Sequence, residues 1–193
     1  MRLKLYRPFT VKIAETVSEL IEASKLVYDR YLSEGYIKEN IFNLWLTHFQ
    51  LYEDSVVIVG KADGKILSTV SLIFSDNHPL PSSLVFPEII NQYGGKRLCE
   101  ATCLASIGTA DCVLKVLAFA LKIVLERKVD FWFVETNPKR IKQFKMLGFE
   151  VIAEKDNFLY MDVPVVLLGV EPEKILNRLH PRIKNYVREI LED

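Results

Sequence analysis

The sequence predicts one α/β domain in which a mixed β-sheet is covered by helices, on three observations. β-Branched runs at residues 55–59 and 66–74, and further segments at 96–105 and 129–135, read as strands. A segment at 109–128 is apolar nearly all round, with Lys115, Lys122 and Glu126 as its thin wet strip, and such a helix must lie against a sheet. The 193 residues are 50% apolar and 26% charged, which supports one sizeable core and excludes a disordered or fibrous chain.

In chain order, a short strand at 10–13 precedes Thr16-Val-Ser-Glu19, a capping box. Val17, Leu20, Ile21, Ser24, Val27, Tyr28 and Tyr31 then recur at steps of three and four, giving an amphipathic helix that Gly35 ends. A shorter helix is predicted over 39–51, with Ile41, Leu44, Trp45 and His48 on one side. Asp63-Gly64 joins two strands in a hairpin, and a turn-rich crossing at 78–87 leads to one or two helical turns at 88–93. After the strand at 96–105 and the long helix come a buried strand, a short helix at 139–147 capped by Gly148, and two antiparallel strands at 149–154 and 157–169. The expected organisation is a domain over 1–169 and a helical extension over 170–193 packed on it, with Ile183, Val187, Ile190 and Leu191 on one face.

Lys plus Arg and Asp plus Glu are 25 each, so no global field draws the chain to nucleic acid. Three cysteines give no disulfide framework, the start lacks a secretory signal, and no uncharged run approaches the ~20 residues a bilayer needs. A cytoplasmic protein without a transmembrane segment is expected. His48, His78 and His180 lack metal-site spacing, and no metal is expected. Cys99 and Cys103, read on one face of a strand, and Cys112 are small core hydrophobes. No nucleophile elbow, P-loop or dinucleotide fingerprint is present.

Glu100 stands out because it interrupts the strand Leu98-Cys-Glu-Ala-Thr-Cys-Leu-Ala105, on a face read as shared with Leu98, Thr102 and Leu104. A buried carboxylate is expensive unless paired. Either Arg97 or Lys96 neutralises it, or it faces a solvated cleft with a raised pKa.

Several segments in register then resemble the N-acyl amino acid synthase family, a branch of the GNAT-like acyltransferases related to the acyl-homoserine-lactone synthases. They are Leu26-Val-Tyr-Asp-Arg-Tyr-Leu-Ser-Glu-Gly-Tyr36, Leu80-Pro81 with Leu84-Val-Phe-Pro-Glu88, Leu98-Cys-Glu-Ala-Thr-Cys-Leu-Ala105, Glu135-Thr-Asn-Pro-Lys-Arg140, Phe144, Leu147-Gly-Phe-Glu150 and Asp162-Val-Pro-Val-Val-Leu-Leu168. The resemblance covers roughly residues 18–169 and implies a sheet splayed between its fourth and fifth strands, where the pantetheine arm of an acyl donor lies. It implies Glu100 as the base that draws a proton from an incoming amine, with the donor held by Leu104, Ala105, Ser106, Ile107, Gly108, Asn137 and Phe144. No permanently bound cofactor follows from it. The acyl-pantetheine donor, on acyl carrier protein or coenzyme A, is a substrate, and the acceptor is a small-molecule amine, expected to be an amino acid.

Ser106-Ile-Gly-Thr-Ala-Asp111 has one glycine and no basic residue to cradle a pyrophosphate, so a carrier-protein donor fits better than coenzyme A. Lys139, Arg140, Lys142 and Lys145 are either a docking patch for an acidic carrier or a solvated helix face. Tyr28, Tyr31, Tyr36, Phe42 and Trp45 either line an acyl tunnel or pack as core. The chain departs from the family in having Val27 for an Arg, Arg140 for a His, and Phe144 where many acetyltransferases keep a Tyr. Cys103 stands where the lactone synthases have an Arg. Two alternatives stay open: an acetyl-coenzyme-A-dependent acetyltransferase, and a non-catalytic acyl-binding or interaction module.

Overall fold

The computed structural model describes residues 9–156 and 163–192, with the side chains of 182, 185, 186, 189, 190 and 192 left aside. Part of the strand predicted at 157–169, and the side chain of Ile190, lie outside the described residues. Strands β1 (Thr10–Ile13), β2 (Val56–Ala62), β3 (Lys65–Phe74), β4 (Leu98–Ser106), β5 (Phe131–Thr136), β6 (Glu150–Lys155) and β7 (Val165–Val170) form one sheet in the order β1-β2-β3-β4-β5-β7-β6. Only β4 and β5 pair in parallel; the other neighbours are antiparallel.

Helix α1 (Val17–Ser33) starts where the sequence predicts, with Thr16 Oγ1 accepting from Glu19 N at 3.2 Å. The Glu19 carboxylate accepts from Glu15 N (3.0 Å) and from Lys61 Nζ (2.9 Å), and pairs with Lys12 (3.1 Å), which ties the helix to β1 and β2. Gly35, at φ 73°, lets the chain leave the helix in a left-handed turn. The predicted second helix does not form: residues 36–47 are irregular, followed by a 3-10 turn at His48–Leu51. Asn40 explains this, since its side chain accepts from Phe42 N and donates to Leu44 O, bonds that compete with a helix. Ile41 and Phe42 are left exposed.

Between β3 and β4 the crossing contains a 3-10 turn (Pro81–Leu84) and helix α2 (Pro87–Asn91). Helix α3 (Ala110–Glu126) packs its buried Val116, Ala120 and Val124 against the sheet. The short α4 (Ile141–Met146) follows β5, while α5 (Ile175–Arg178) and α6 (Pro181–Glu192) form the end of the described chain. Ile175, Leu179 and Val187 are buried in the α3-side core, with Ile183 and Leu191 against it. Among the described residues no helix is long and apolar enough to cross a membrane.

The sheet thus has two covered faces, α1 with α2 and the 3-10 turns on one, α3 to α6 on the other. Hydrogen bonds from Glu15 N, then Lys61 and Lys12, hold the Glu19 carboxyl at about 2. Its stabilisation is therefore present above pH ~4.5 and lost as pH falls towards 2. We expect Glu19→Gln to lower Tm at pH 7, with the gap to the parent closing below about pH 3 in a thermal-melt series.

Candidate active site

The β4–β5 ladder runs only from Leu98↔Phe131 to Ala101↔Val134, although β4 continues to Ser106 and β5 to Thr136. From Thr102 onward the edge of β4 that faces β5 has no strand partner among the described residues, as the expected splay requires. A bulge accompanies the parting: Ser71 pairs with Thr102 and Thr69 with Ala105, so β4 carries one residue more than β3. The extra residue is buried Cys103 in the left-handed region, φ 54°.

The bulge also corrects the predicted alternation of side chains. Cys99 and Ala101 face α3, whereas Cys103 and Ala105 face α1. Leu104 consequently packs on the α3 side and does not share the face of Glu100.

Glu100 is 1% exposed, and its Oε2 accepts from Ser82 N at 2.8 Å, so the crossing between β3 and β4 supplies its donor. Neither expected setting for it is found as stated: Arg97 bonds Asp76 (2.8 Å) and the Arg127 carbonyl (2.7 Å), Lys96 lies over the Tyr93 ring, and the carboxyl is buried and not solvated. Burial pushes the Glu100 carboxyl up to about 7, tempered by Ser82. Ser82 Oγ, fully buried, lies close enough to the same carboxyl to help lower its proton affinity.

Sequence reading missed Glu135. It stands two residues beyond Phe133, which is opposite Glu100, and it opposes Leu167 on the α1-side face. Its Oε1 is buried without a partner, and burial, then the charge of Glu100, push its carboxyl well above the usual range. The available signal was a carboxylate on the same face as Phe133 in an otherwise apolar strand.

On the opposite face a small apolar cavity of about 40 Å3 lies beneath α3, with Ala101, Leu104, Trp132, Val134, Phe144 and Leu147 among its walls. The predicted donor residues Leu104 and Phe144 meet here. The α1-side aromatics do not line it: Tyr28 is buried with its hydroxyl accepting from Asn40 N, Tyr31 packs with Tyr36 and Trp45, and Phe42 is exposed.

The other predicted positions divide. Ser106 Oγ is engaged by Ser68 Oγ (2.7 Å), the Leu67 carbonyl and Gly108 N, so it braces the strand end. Ile107 is exposed, its N–H bonded to the Leu67 carbonyl. Asn137 caps the turn after β5 by accepting from Lys139 N. Lys139, Lys142 and Lys145 line an open groove with Arg178 and His180, but Arg140 leaves that set to pair with Glu34 at the end of α1 (3.0 Å). Cys99, Cys103 and Cys112 are free and buried, and no metal-binding cluster occurs among the described residues.

The folded state keeps a proton on Glu100 that an unfolded chain releases near pH 4.5, so this group weakens folding as pH rises from about 4.5 to 7. Glu100→Gln is expected to raise stability at pH 8 by up to about 3 kcal/mol and to have little effect at pH 4.5; equal denaturant midpoints at pH 8 would contradict the burial.

A search of curated proteins gave no match. Among solved structures, the N-acyl amino acid synthase FeeM from uncultured soil microbes superposes with a TM-score of 0.82 at 17% identity, over 93% of this chain and 98% of that one. The acyl-homoserine-lactone synthase LasI gives 0.67 at 15% identity, over 90% and 98%. An acyl-CoA N-acyltransferase from Pseudomonas aeruginosa gives 0.58 at 15% identity, over 84% and 98%. A family model described as N-acyl amino acid synthase FeeM matches residues 22–171. With that match over most of its length, on a sheet that opens between β4 and β5, the chain belongs to the FeeM N-acyl amino acid synthase family and is an acyltransferase.

Proposed function

We propose that this protein moves an acyl group from a pantetheine thioester to an amine by direct attack, with Glu100 as the base. The observation that carries this reading is a buried carboxyl, poised near neutrality and free of any cation among the described residues, beside the parted strands. Main-chain groups on the unpaired edge of β4 are available to the pantetheine amides, as an added strand would use them. The acyl chain enters the cavity under α3, lined by Leu104 and Phe144, and a long chain must displace side chains there. The amine approaches from the α1 side. Direct attack is favoured because the cysteines are buried, with burial raising both Cys99 and Cys103.

An acyl carrier protein is the favoured donor. The start of α3 carries Asp111 in its first turn, paired to Lys115, and Gly108 N is already bonded to Ser106, which serves a coenzyme A pyrophosphate poorly. Lys139, Lys142 and Lys145, joined by Arg178, offer an acidic carrier a basic groove.

Acyl transfer followed by mass spectrometry should show Glu100→Gln slower by about 10²- to 10⁴-fold. The parent rate should rise with pH through about 7, the direction in which Glu100 becomes a base. Parent-like transfer by the variant would remove Glu100 from this role. Replacing Lys139, Lys142 and Lys145 together by Glu should raise KM for the carrier-borne donor about tenfold with kcat held, an effect that shrinks in high salt.

A further inference from the structure

The apolar cavity beneath α3 and the basic groove on the surface share a wall. Phe144 of α4 and the adjoining Leu147 border the cavity, while Lys142, Lys145 and Met146 of the same helix border the groove. Among the described residues one, Leu179, lines both, and it is buried. Its side chain is therefore the partition between them.

What stands behind each wall decides where a chain in the cavity could continue. Ala101 and Val134 are the last paired rung of the β4–β5 ladder, and Leu117, Ala118 and Leu121 belong to the 17-residue α3. Moving either means undoing sheet or helix. Behind Leu179 lies the open groove, whose Ile141, Met146 and Pro181 offer apolar surface between the lysines. The turn that presents Leu179 is fixed in place. Leu179 N bonds the Ile175 carbonyl (2.9 Å), His180 N bonds the Met146 carbonyl (3.0 Å), and Arg178 pairs with Glu150 (3.2 Å). Gly148 lets it lie close, because a Cβ there would come within 3.1 Å of Arg178 Cβ. Residues 172–192 also lie beyond the stretch that the family model matches, so membership of the family assigns no role to this turn.

We propose that Leu179 is the end-stop of the acyl pocket, and so the residue that sets the longest chain this protein transfers. This rests on the acyl-transfer reading above, in which the chain enters the cavity lined by Leu104 and Phe144. The cavity of about 40 Å3 accepts a few carbon atoms, and a longer chain gains room by shifting side chains until it meets Leu179. Each methylene buried up to that point is worth about fourfold in binding, and the next has nowhere to go. Removing the Leu179 side chain joins the cavity to the groove, so the gain continues with length.

The test measures transfer by the whole protein from coenzyme A thioesters of even length, butanoyl to hexadecanoyl, and from the same chains on acyl carrier protein. We expect kcat/KM for the parent to rise with length and then fall sharply. Leu179→Ala should remove the fall, raising use of hexadecanoyl over octanoyl by about tenfold or more relative to the parent, and Leu179→Phe should move the fall to shorter chains. Leu179→Met, similar in volume and unbranched, should give the alanine effect in smaller measure without leaving a void. Val187→Ala enlarges the same cavity away from the groove and should shift the optimum by no more than about two carbons. An unchanged length profile in the Leu179 variants, or a shift in Val187→Ala as large as that in Leu179→Ala, overturns the assignment while leaving acyl transfer standing. Calorimetric titration with the free fatty acids keeps the two readings apart. A length limit on binding that Leu179→Ala lifts supports the end-stop even if no acyl group moves, and in that case the transfer reading is what fails. No transfer and no length-dependent binding overturns the assignment outright.

Discussion

β4 and β5 hydrogen-bond for four residues and then part, and the proposed chemistry is arranged around that separation. The constraint beneath it is the bulge in β4. Placing Cys103, a non-glycine residue, in the left-handed region costs on the order of 1–3 kcal/mol, and the surrounding sheet must hold it there. What the strain obtains is a bend in a central strand and a reversal of its inside-outside phase. Glu100, before the bulge, looks towards α1, and Leu104, after it, looks towards α3. A regular strand would put both on one side.

The two faces of the opening differ in kind. Beneath α3 the walls are apolar, and the orphaned polar atom among them is Trp132 Nε1. Towards α1 stand two carboxyls and a hydroxyl. Burial makes each acid reluctant to ionise, and proximity makes the second more reluctant than the first. Two acids of or beside α1 are paired instead: Glu19 has two lysines and a main-chain donor, and Glu34 has two arginines. Glu135 differs from these in having a buried oxygen without a hydrogen-bond partner, as Asp54 does at both of its oxygens.

Arg140 shows how the fold redistributes a motif. In sequence it belongs to a run of cations after Asn137-Pro138. In space it bridges to Glu34 across 106 positions and joins the end of α1 to the turn after β5, while its neighbours turn to the groove with Arg178 and His180. The proposed docking surface is thus built from two segments of chain.

Local patterns in the sequence sufficed for the strands, for α1 with its Thr16 cap, for α3 and for the oddity of Glu100, because alternation, helical spacing and capping act between residues a few positions apart. They failed at 39–51, where Asn40 diverted the backbone through bonds that a periodicity count does not weigh. The bulge at Cys103, the pairing of Glu100 with Glu135, the donor supplied by Ser82 and the side of the sheet that holds the cavity came only with the tertiary structure. Each depends on which strand lies beside which and in what register, and that is decided by burial of the whole sheet between its helices, which no short stretch of residues encodes.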